Sequence, residues 1–256
     1  MNHKKAQKPI SYALDFIFFC ILAALLTLIL VLLMTKFESR EKSPTERAVA
    51  MTQGVQKSSV TVVIDAGHGG EDGGASSVSG ALEKDLNLDI AFLLADMLRA
   101  NGINVVMTRT EDILLYDPTS DYHGRKKVLD LAARLKIAKE TPNSVFVSIH
   151  MNSFPQTQYS GLQVYYSKND KNSKTVADLI QSNVKAYLQP SNTRKTKGAT
   201  SAIFLLDRLE TPAVLIECGF LSNYEEARRL SNAEYRKKLA FVIFCSLCDY
   251  ISNNNP

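Results

Sequence analysis

The sequence predicts a single α/β domain with a mostly parallel sheet, preceded by one transmembrane helix at its N-terminus. Three observations predict it. Short β-branched runs alternate with stretches of helical periodicity from residue 60 onward. Six of the 12 glycines, at positions 67, 69, 70, 73, 74 and 80, fall between the first such run and the first helix. An apolar run, FIFFCILAALLTLILVLLM from Phe16 to Met34, precedes everything else.

That run is 19 residues long, and Thr27 is its one polar side chain. At about 1.5 Å per residue it nearly spans the hydrocarbon core of a bilayer. A buried globular helix of this length would carry a polar stripe. A cleaved signal peptide would have a shorter apolar region with small residues close behind it. Here Lys36, Phe37, Glu38 and Arg40 follow, and the Ala48-Val49-Ala50 triplet is distant. Residues 1–35 therefore read as a cytoplasmic tail and membrane anchor. Residues 36–59, polar and aperiodic, read as a linker, and residues 60–256 as the folded domain. Lys4, Lys5 and Lys8 before the span nearly balance Lys36, Arg40, Lys42 and Arg47 after it, so flanking charge leaves its orientation open.

Within the domain, Val60–Ile64 is a short β-branched run suited to a buried strand. After the glycines, Leu86, Ile90, Leu93, Leu94 and Met97 fall at helical spacing, ended by Asn101-Gly102. Ile103–Thr108 is a second strand. Arg125–Glu140 is a helix with Val128, Leu131, Leu135 and Ala138 on one stripe, stopped before Pro142. Ser144–His150 and Leu162–Tyr166 are strands, with a helix over Ser173–Leu188. Ala202–Leu206 reads as a short strand and Ala213–Glu217 as another, after Pro212. A long helix from about Asn232 to Ser252 turns Tyr235, Leu239, Val242, Ile243 and Leu247 inward.

Charge excludes one class of function. Residues 1–59 hold eight of the 30 Lys/Arg and four of the 26 acids, which leaves 22 of each for residues 60–256. A neutral body has no basic footprint for nucleic acid. Four scattered cysteines do not make a disulfide scaffold. Cys245 and Cys248 lie in an apolar helical stripe, which favours core packing over a redox or metal pair.

The polar residues carry more information. His68, His150 and Glu217 all stand at or just past the C-terminal end of a predicted strand, the edge where open α/β sheets bind ligands. Glu83 opens the first helix. Each residue has a bland explanation. His68 could sit in a turn, Glu83 could serve the helix dipole, and His150 could be a satisfied core histidine. Yet the chain has four histidines, and two stand at one sheet edge. Glu217 follows Val-Leu-Ile on a strand that should be buried, and a buried carboxylate without a partner costs several kcal/mol. Two imidazoles and a carboxylate are a catalytic zinc set with a fourth position open to water. Cys218 alternates to the opposite face from Glu217 and reads as a core thiol; His123 reads as a loop residue. The loop AGHGGEDGGAS lacks the GxxxxGK[ST] phosphate pattern, and no GxSxG or HExxH occurs.

At these residues the sequence resembles a known family. VVIDAGHGGEDGGA (62–75), LEKDLNL (82–88), VSIHMNS (147–153) and VLIECGFLSN (214–223) are similar, in order and spacing, to the zinc-dependent N-acetylmuramoyl-L-alanine amidases of the amidase_3 type. The likeness spans about residues 60–252. MTRT (107–110) and GRKKVLDLAARL (124–135) resemble most the germination-specific cortex amidases of spore formers. Ala66 stands where proline is common in the family, and Cys218 varies within its motif; neither removes a functional atom. The resemblance implies a mixed sheet flanked by helices, with zinc as cofactor on His68, Glu83 and His150 and Glu217 as the catalytic acid–base. Asp65 or Asn152 would orient a ligand histidine, although Asp65 could equally end its strand in an Asx turn, and Arg109 would support the site or its substrate. The implied substrate is peptidoglycan, cleaved between the lactyl group of muramic acid and L-alanine. The implied placement is extracytoplasmic and membrane-anchored, in a spore former between the two membranes of the developing spore, with an unidentified regulatory protein as partner. Another cell-wall zinc peptidase, or a silent peptidoglycan-binding homologue, would share these residues.

Overall fold

The computed structural model describes residues 18–29, 60–117, 119 and 124–254. Residues 18–29 form an exposed helix. The rest of the expected anchor, the linker over 36–59 and His123 lie outside the described residues. Among the described residues no helix is long and apolar enough to cross a membrane.

The remaining chain is an α/β domain. Its strands are β1 (Thr61–Ala66), β2 (Asn104–Met107), β3 (Ser144–Asn152), β4 (Gln163–Tyr166), β5 (Lys197–Gly198) and β6 (Ala213–Phe220). They form one sheet in the order β2-β1-β3-β6-β4-β5. β2, β1, β3 and β6 are mutually parallel, β4 is antiparallel to β6, and β5 is parallel to β4. The sheet is therefore mostly parallel and mixed.

The helices are α1 (Glu83–Ala100), α2 (Lys126–Lys139), α3 (Asn172–Tyr187), α4 (Phe204–Arg208), α5 (Tyr224–Ser231) and α6 (Ala233–Asn254). The two sheet faces are covered unequally. Ile64, Val147, Ile149, Val164, Ile216 and Cys218 pack against α1, α3 and α6 in the main core. Leu239, Ile243 and Leu247 of α6 are fully buried there, as their spacing predicts. Burying each such side chain contributes about 1.5–3 kcal/mol. Cys218 and Cys248 are buried, Cys245 packs against the same core, and all three are free thiols. The opposite face packs Val63, Phe146 and Ala213 against α2 and α4 in a smaller cluster.

Helix ends follow local chemistry. At the C-terminus of α1, Gly102 takes φ +74°, and the Ile103 amide donates to the Leu98 carbonyl at 3.1 Å. That closes a Schellman turn. At its N-terminus no side chain caps the helix. Instead the Glu83 and Lys84 amides donate to the Ala75 and Gly73 carbonyls at 2.8 and 3.2 Å, so the glycine-rich loop satisfies donors that the helix cannot.

Two expectations need correction, and one helix is additional. Ala202–Leu206 is not a strand; the chain turns there and forms α4. A short apolar run carries no period long enough to decide between the two. The C-terminal helix is preceded by a separate helix, α5, which the hydrophobic pattern does not reveal. On α2, Val128 is exposed, and the buried line is Asp130, Arg134 and Ala138, with Leu131 and Leu135 only partly covered. The inward face of α2 is thus partly ionic, because it grips the loop described next.

Candidate metal centre

The C-terminal edge of the parallel strands collects the polar residues. His150 on β3 lies in register with Glu217 on β6, and Gln163 on β4 faces Glu217 from the other side. Side chains at opposed positions share a face of the sheet. Both strands continue past the expected ends, to Asn152 and Phe220. His68 follows β1, and Glu83 opens α1 above the same edge.

His68, Glu83 and His150 each offer one ligand atom, and these atoms lie within 4.8 Å of one another. Glu83 Oε1 is 2.9 Å from His150 Nδ1 and 3.2 Å from His68 Nε2. Donors on one tetrahedral zinc, at about 2.0–2.1 Å from the ion, stand about 3.3 Å apart. Both spacings from Glu83 to the histidines are close to that value, and the chemistry of the three donors, two imidazoles and a carboxylate, matches a catalytic set. Burial alone would raise the Glu83 carboxyl. Hydrogen bonds from His150 and His68, and their charge, outweigh burial and hold it well below the usual carboxylate range. The same site opposes the His68 cation by burial, while Glu83 and then Asp72 raise its pKa. The geometry thus favours an anion at Glu83 with positive charge against it, the arrangement a metal ion would satisfy.

Glu83 is anchored beyond the histidines. Its Oε2 accepts from the Ala75 amide at 2.8 Å, and its Oε1 accepts from the Met151 amide at 3.0 Å. Asn87, one turn along α1, donates to the Gly67 carbonyl and reaches Glu83 Oε1 at 3.4 Å. The close packing explains two glycines. A Cβ at Gly67 would sit 2.2 Å from His150 Nε2, and one at Gly74 would sit 2.6 Å from Glu83 Oε2.

The loop carrying His68 is held from below by two arginines. His68 itself takes φ +61°, a conformation costly for a side-chain-bearing residue. Arg134 donates to the Ala66 and His68 carbonyls, both at 2.7 Å, and Arg109 donates to the Ala66 and Gly67 carbonyls at 2.8 and 3.1 Å. Arg134 is itself neutralised by Asp65 at 2.7 Å and Asp130 at 2.8 Å. Burial disfavours its charge, and these two carboxylates raise its pKa above the ordinary value. Breaking one partner of such a buried pair costs about 3–5 kcal/mol.

This arrangement revises the roles expected of Asp65 and Asn152 and gives Arg109 a supporting one. Asp65 hydrogen-bonds neither histidine; it accepts from Thr108, Ser148 and Arg134 at 2.8, 2.6 and 2.7 Å. Arg109 is buried and spent on backbone carbonyls, so it shapes the His68 loop and does not face substrate. Asn152 joins through its backbone carbonyl, which accepts from the Leu221 amide at 2.8 Å. The histidine partner is Asp72, whose Oδ2 is 2.9 Å from His68 Nδ1. With a metal bound, a proton held on Nδ1 by Asp72 would leave Nε2, the atom that faces Glu83, free to ligate. Asp72→Ala should therefore weaken metal affinity about 10–100-fold with the fold intact. Calorimetric titration with zinc checks this; unchanged affinity would make the contact incidental.

Glu217 completes the edge. It is half-buried, and its Oε2 is shielded from solvent with no hydrogen-bond partner among the described residues. Burial pushes its carboxyl up to about 6, with His150 and His68 pulling down and Glu83 pushing up. A carboxyl poised there, beside the donor set, is suited to take and return a proton near neutral pH. Cys218 faces the other way, into the core, where burial pushes its thiol up.

The N-acetylmuramoyl-L-alanine amidase (Amidase_3) family profile matches residues 62–248. The chain is 38% identical over 193 residues to the germination-specific N-acetylmuramoyl-L-alanine amidase of Bacillus subtilis (strain 168), covering 75% of this chain and 79% of that protein. It is 32% identical over 192 residues to the amidase LytC of the same organism, covering 74% of this chain and 35% of that protein. Among solved structures, the CwlD amidase from Clostridioides difficile, solved in complex with the GerS lipoprotein, matches with a TM-score of 0.72. That match has 36% identity and covers 76% of this chain and 99% of that one.

Proposed function

The chain belongs to the N-acetylmuramoyl-L-alanine amidase (Amidase_3) family and is a peptidoglycan amidase; from that premise we propose that it is a zinc hydrolase of the spore cortex. It cleaves the amide between the lactyl group of N-acetylmuramic acid and the L-alanine of the stem peptide. The observation that carries this reading is one juxtaposition. Three donors lie within 4.8 Å, and the buried oxygen of Glu217, without a partner among the described residues, stands on the neighbouring strand.

In this reading His68, Glu83 and His150 hold the metal. When bound, zinc supplies a water with a pKa near roughly 7 and positive charge for the developing oxyanion. Glu217 takes the proton of the attacking water on a carboxylate oxygen and returns it to the L-alanine nitrogen as that amine leaves. Asp72 keeps His68 in its ligand tautomer. Arg134 and Arg109 keep the loop at its height over the sheet edge.

The spore assignment is supported by likeness to the germination-specific amidase and to CwlD. Because CwlD was solved with a lipoprotein, the proposal includes a regulatory protein partner for this chain. Peptidoglycan lies outside the cytoplasmic membrane, so the domain belongs there, tethered by the Phe16–Met34 segment. A reporter fused after Pro256 should behave as extracytoplasmic; a reporter active only in the cytoplasm would contradict that placement.

The reaction is tested by digesting purified peptidoglycan and cortex with the zinc-loaded protein and identifying the products by mass spectrometry. The expected products are whole stem peptides with a free L-alanine amino terminus. New amino termini inside the stem would mark a different zinc peptidase, and no release would mark a silent homologue.

A further inference from the structure

We propose that Arg194 is a specificity-determining residue that receives a carboxylate of the stem peptide on the leaving-group side of Glu217; the proposal rests on the amidase reading above. Across the sheet edge the side chains run His150, Glu217, Gln163 on β3, β6 and β4. Arg194 stands at the end of that row, its Nη1 donating to Gln163 Oε1 at 3.0 Å. Its Nε donates to the Ser160 carbonyl at 2.7 Å, and its guanidinium lies 4.4 Å from the centre of the Phe220 ring and 5.9 Å from that of Tyr159.

The side chain is thus oriented by two hydrogen bonds and a buried aromatic, yet it has no carboxylate partner among the described residues. Nη2 makes no hydrogen bond among them. A guanidinium is always charged and presents a fork matched to carboxylates. A half-buried, pre-oriented guanidinium beside a reaction centre, with no anion among the described residues, takes its anion from the substrate. Tyr159 and Phe154, 42% and 48% exposed and packed edge to face, form the open wall beside it.

The direction of the substrate follows from proton transfer. Glu217 protonates the L-alanine nitrogen, so the peptide departs on the Glu217 side of His150, toward β4. Neighbouring strands are about 4.8 Å apart, and an extended peptide advances about 3.3–3.6 Å per residue. Arg194 is therefore one to two residues beyond the scissile amide. The second stem residue is glutamate joined through its γ-carboxyl, which leaves its α-carboxylate free at that reach. Where the third residue is a diamino-dicarboxylic acid, it also carries a free carboxylate, one step farther out.

The test uses the zinc-loaded full chain on three soluble muropeptides: one with both carboxylates free, one amidated at the second residue, one amidated at the third. Wild type should lose about ten- to a hundredfold in kcat/KM on amidation at the second residue, mainly through KM. Arg194→Gln should be slow on all three and indifferent among them, and Arg194→Lys should restore part of the discrimination. Discrimination at the third residue alone, abolished by Arg194→Gln, would support the subsite and move its ligand one residue outward. Wild type that cleaves all three alike would overturn the proposal and leave the amidase reading standing, without requiring any variant to fold. Arg194→Gln that still discriminates would overturn it as well. Failure of wild type to cleave any of them would overturn the amidase reading, and the subsite with it.

Discussion

Glu217→Gln is expected to lower turnover by at least about 10²–10⁴-fold, the usual contribution of general acid–base catalysis. Glutamine is nearly isosteric and keeps a carbonyl acceptor, so β6 and its register with β3 and β4 should persist. Among the described residues the buried Oε2 has no partner whose loss would disturb the fold. What disappears is a carboxyl that burial holds at about 6, able to accept a proton and give it back. Peptidoglycan binding should persist, because the shape of the edge is unchanged. Release of L-alanine amino termini, measured beside wall binding on one preparation, checks this. Turnover at the wild-type rate would place the proton shuttle elsewhere.

His150→Ala has the other large expected effect, and it acts on the metal. It removes one of three donors from an open site. Zinc affinity should fall by more than the about 10–100-fold typical of losing an outer partner. Activity should fall with it. β3 should remain, because its pairing to β1 and β6 is backbone and its apolar neighbours Val147 and Ile149 are untouched. Zinc content by atomic emission checks the first effect, and unchanged stoichiometry would exclude His150 as a ligand.

How far the sequence exposes this design depends on the range of each signal. The four parallel strands and α1, α3 and α6 are legible because β-branched runs and helical stripes are local patterns. β5 is two residues, Lys197 and Gly198, with no hydrophobic signal. The start of α5 is legible in principle. Asn223 caps α5 by accepting from the Glu226 amide at 3.1 Å, an Asn-x-x-Glu start of the capping-box kind. Asn232 then accepts from the Tyr235 amide at 3.2 Å to open α6.

Within the site, His68, His150 and Glu217 are visible as polar residues ending apolar strands, and Glu83 by its place at a helix start. Their supports are not. Arg134 sits between Leu131 and Leu135 and looks like a solvated helix residue, while its partner Asp65 is 69 positions away. Asp72 reaches His68 only because the glycine loop folds back, Gly69 and Asp72 exchanging backbone hydrogen bonds at 3.0 Å. Arg194 lies in irregular chain, and only the folded sheet brings it beside Gln163. Each of these contacts is long-range or depends on turn geometry, and periodicity does not encode either.

The division of labour at the sheet edge is tested most directly by zinc bound per chain in Glu217→Gln and His150→Ala, purified and loaded side by side with wild type. The account predicts that Glu217→Gln retains the wild-type zinc content while inactive, and that His150→Ala loses most of it. Loss of zinc in Glu217→Gln, or retention in His150→Ala, would contradict the assignment of His68, Glu83 and His150 as the ligands and Glu217 as the proton carrier.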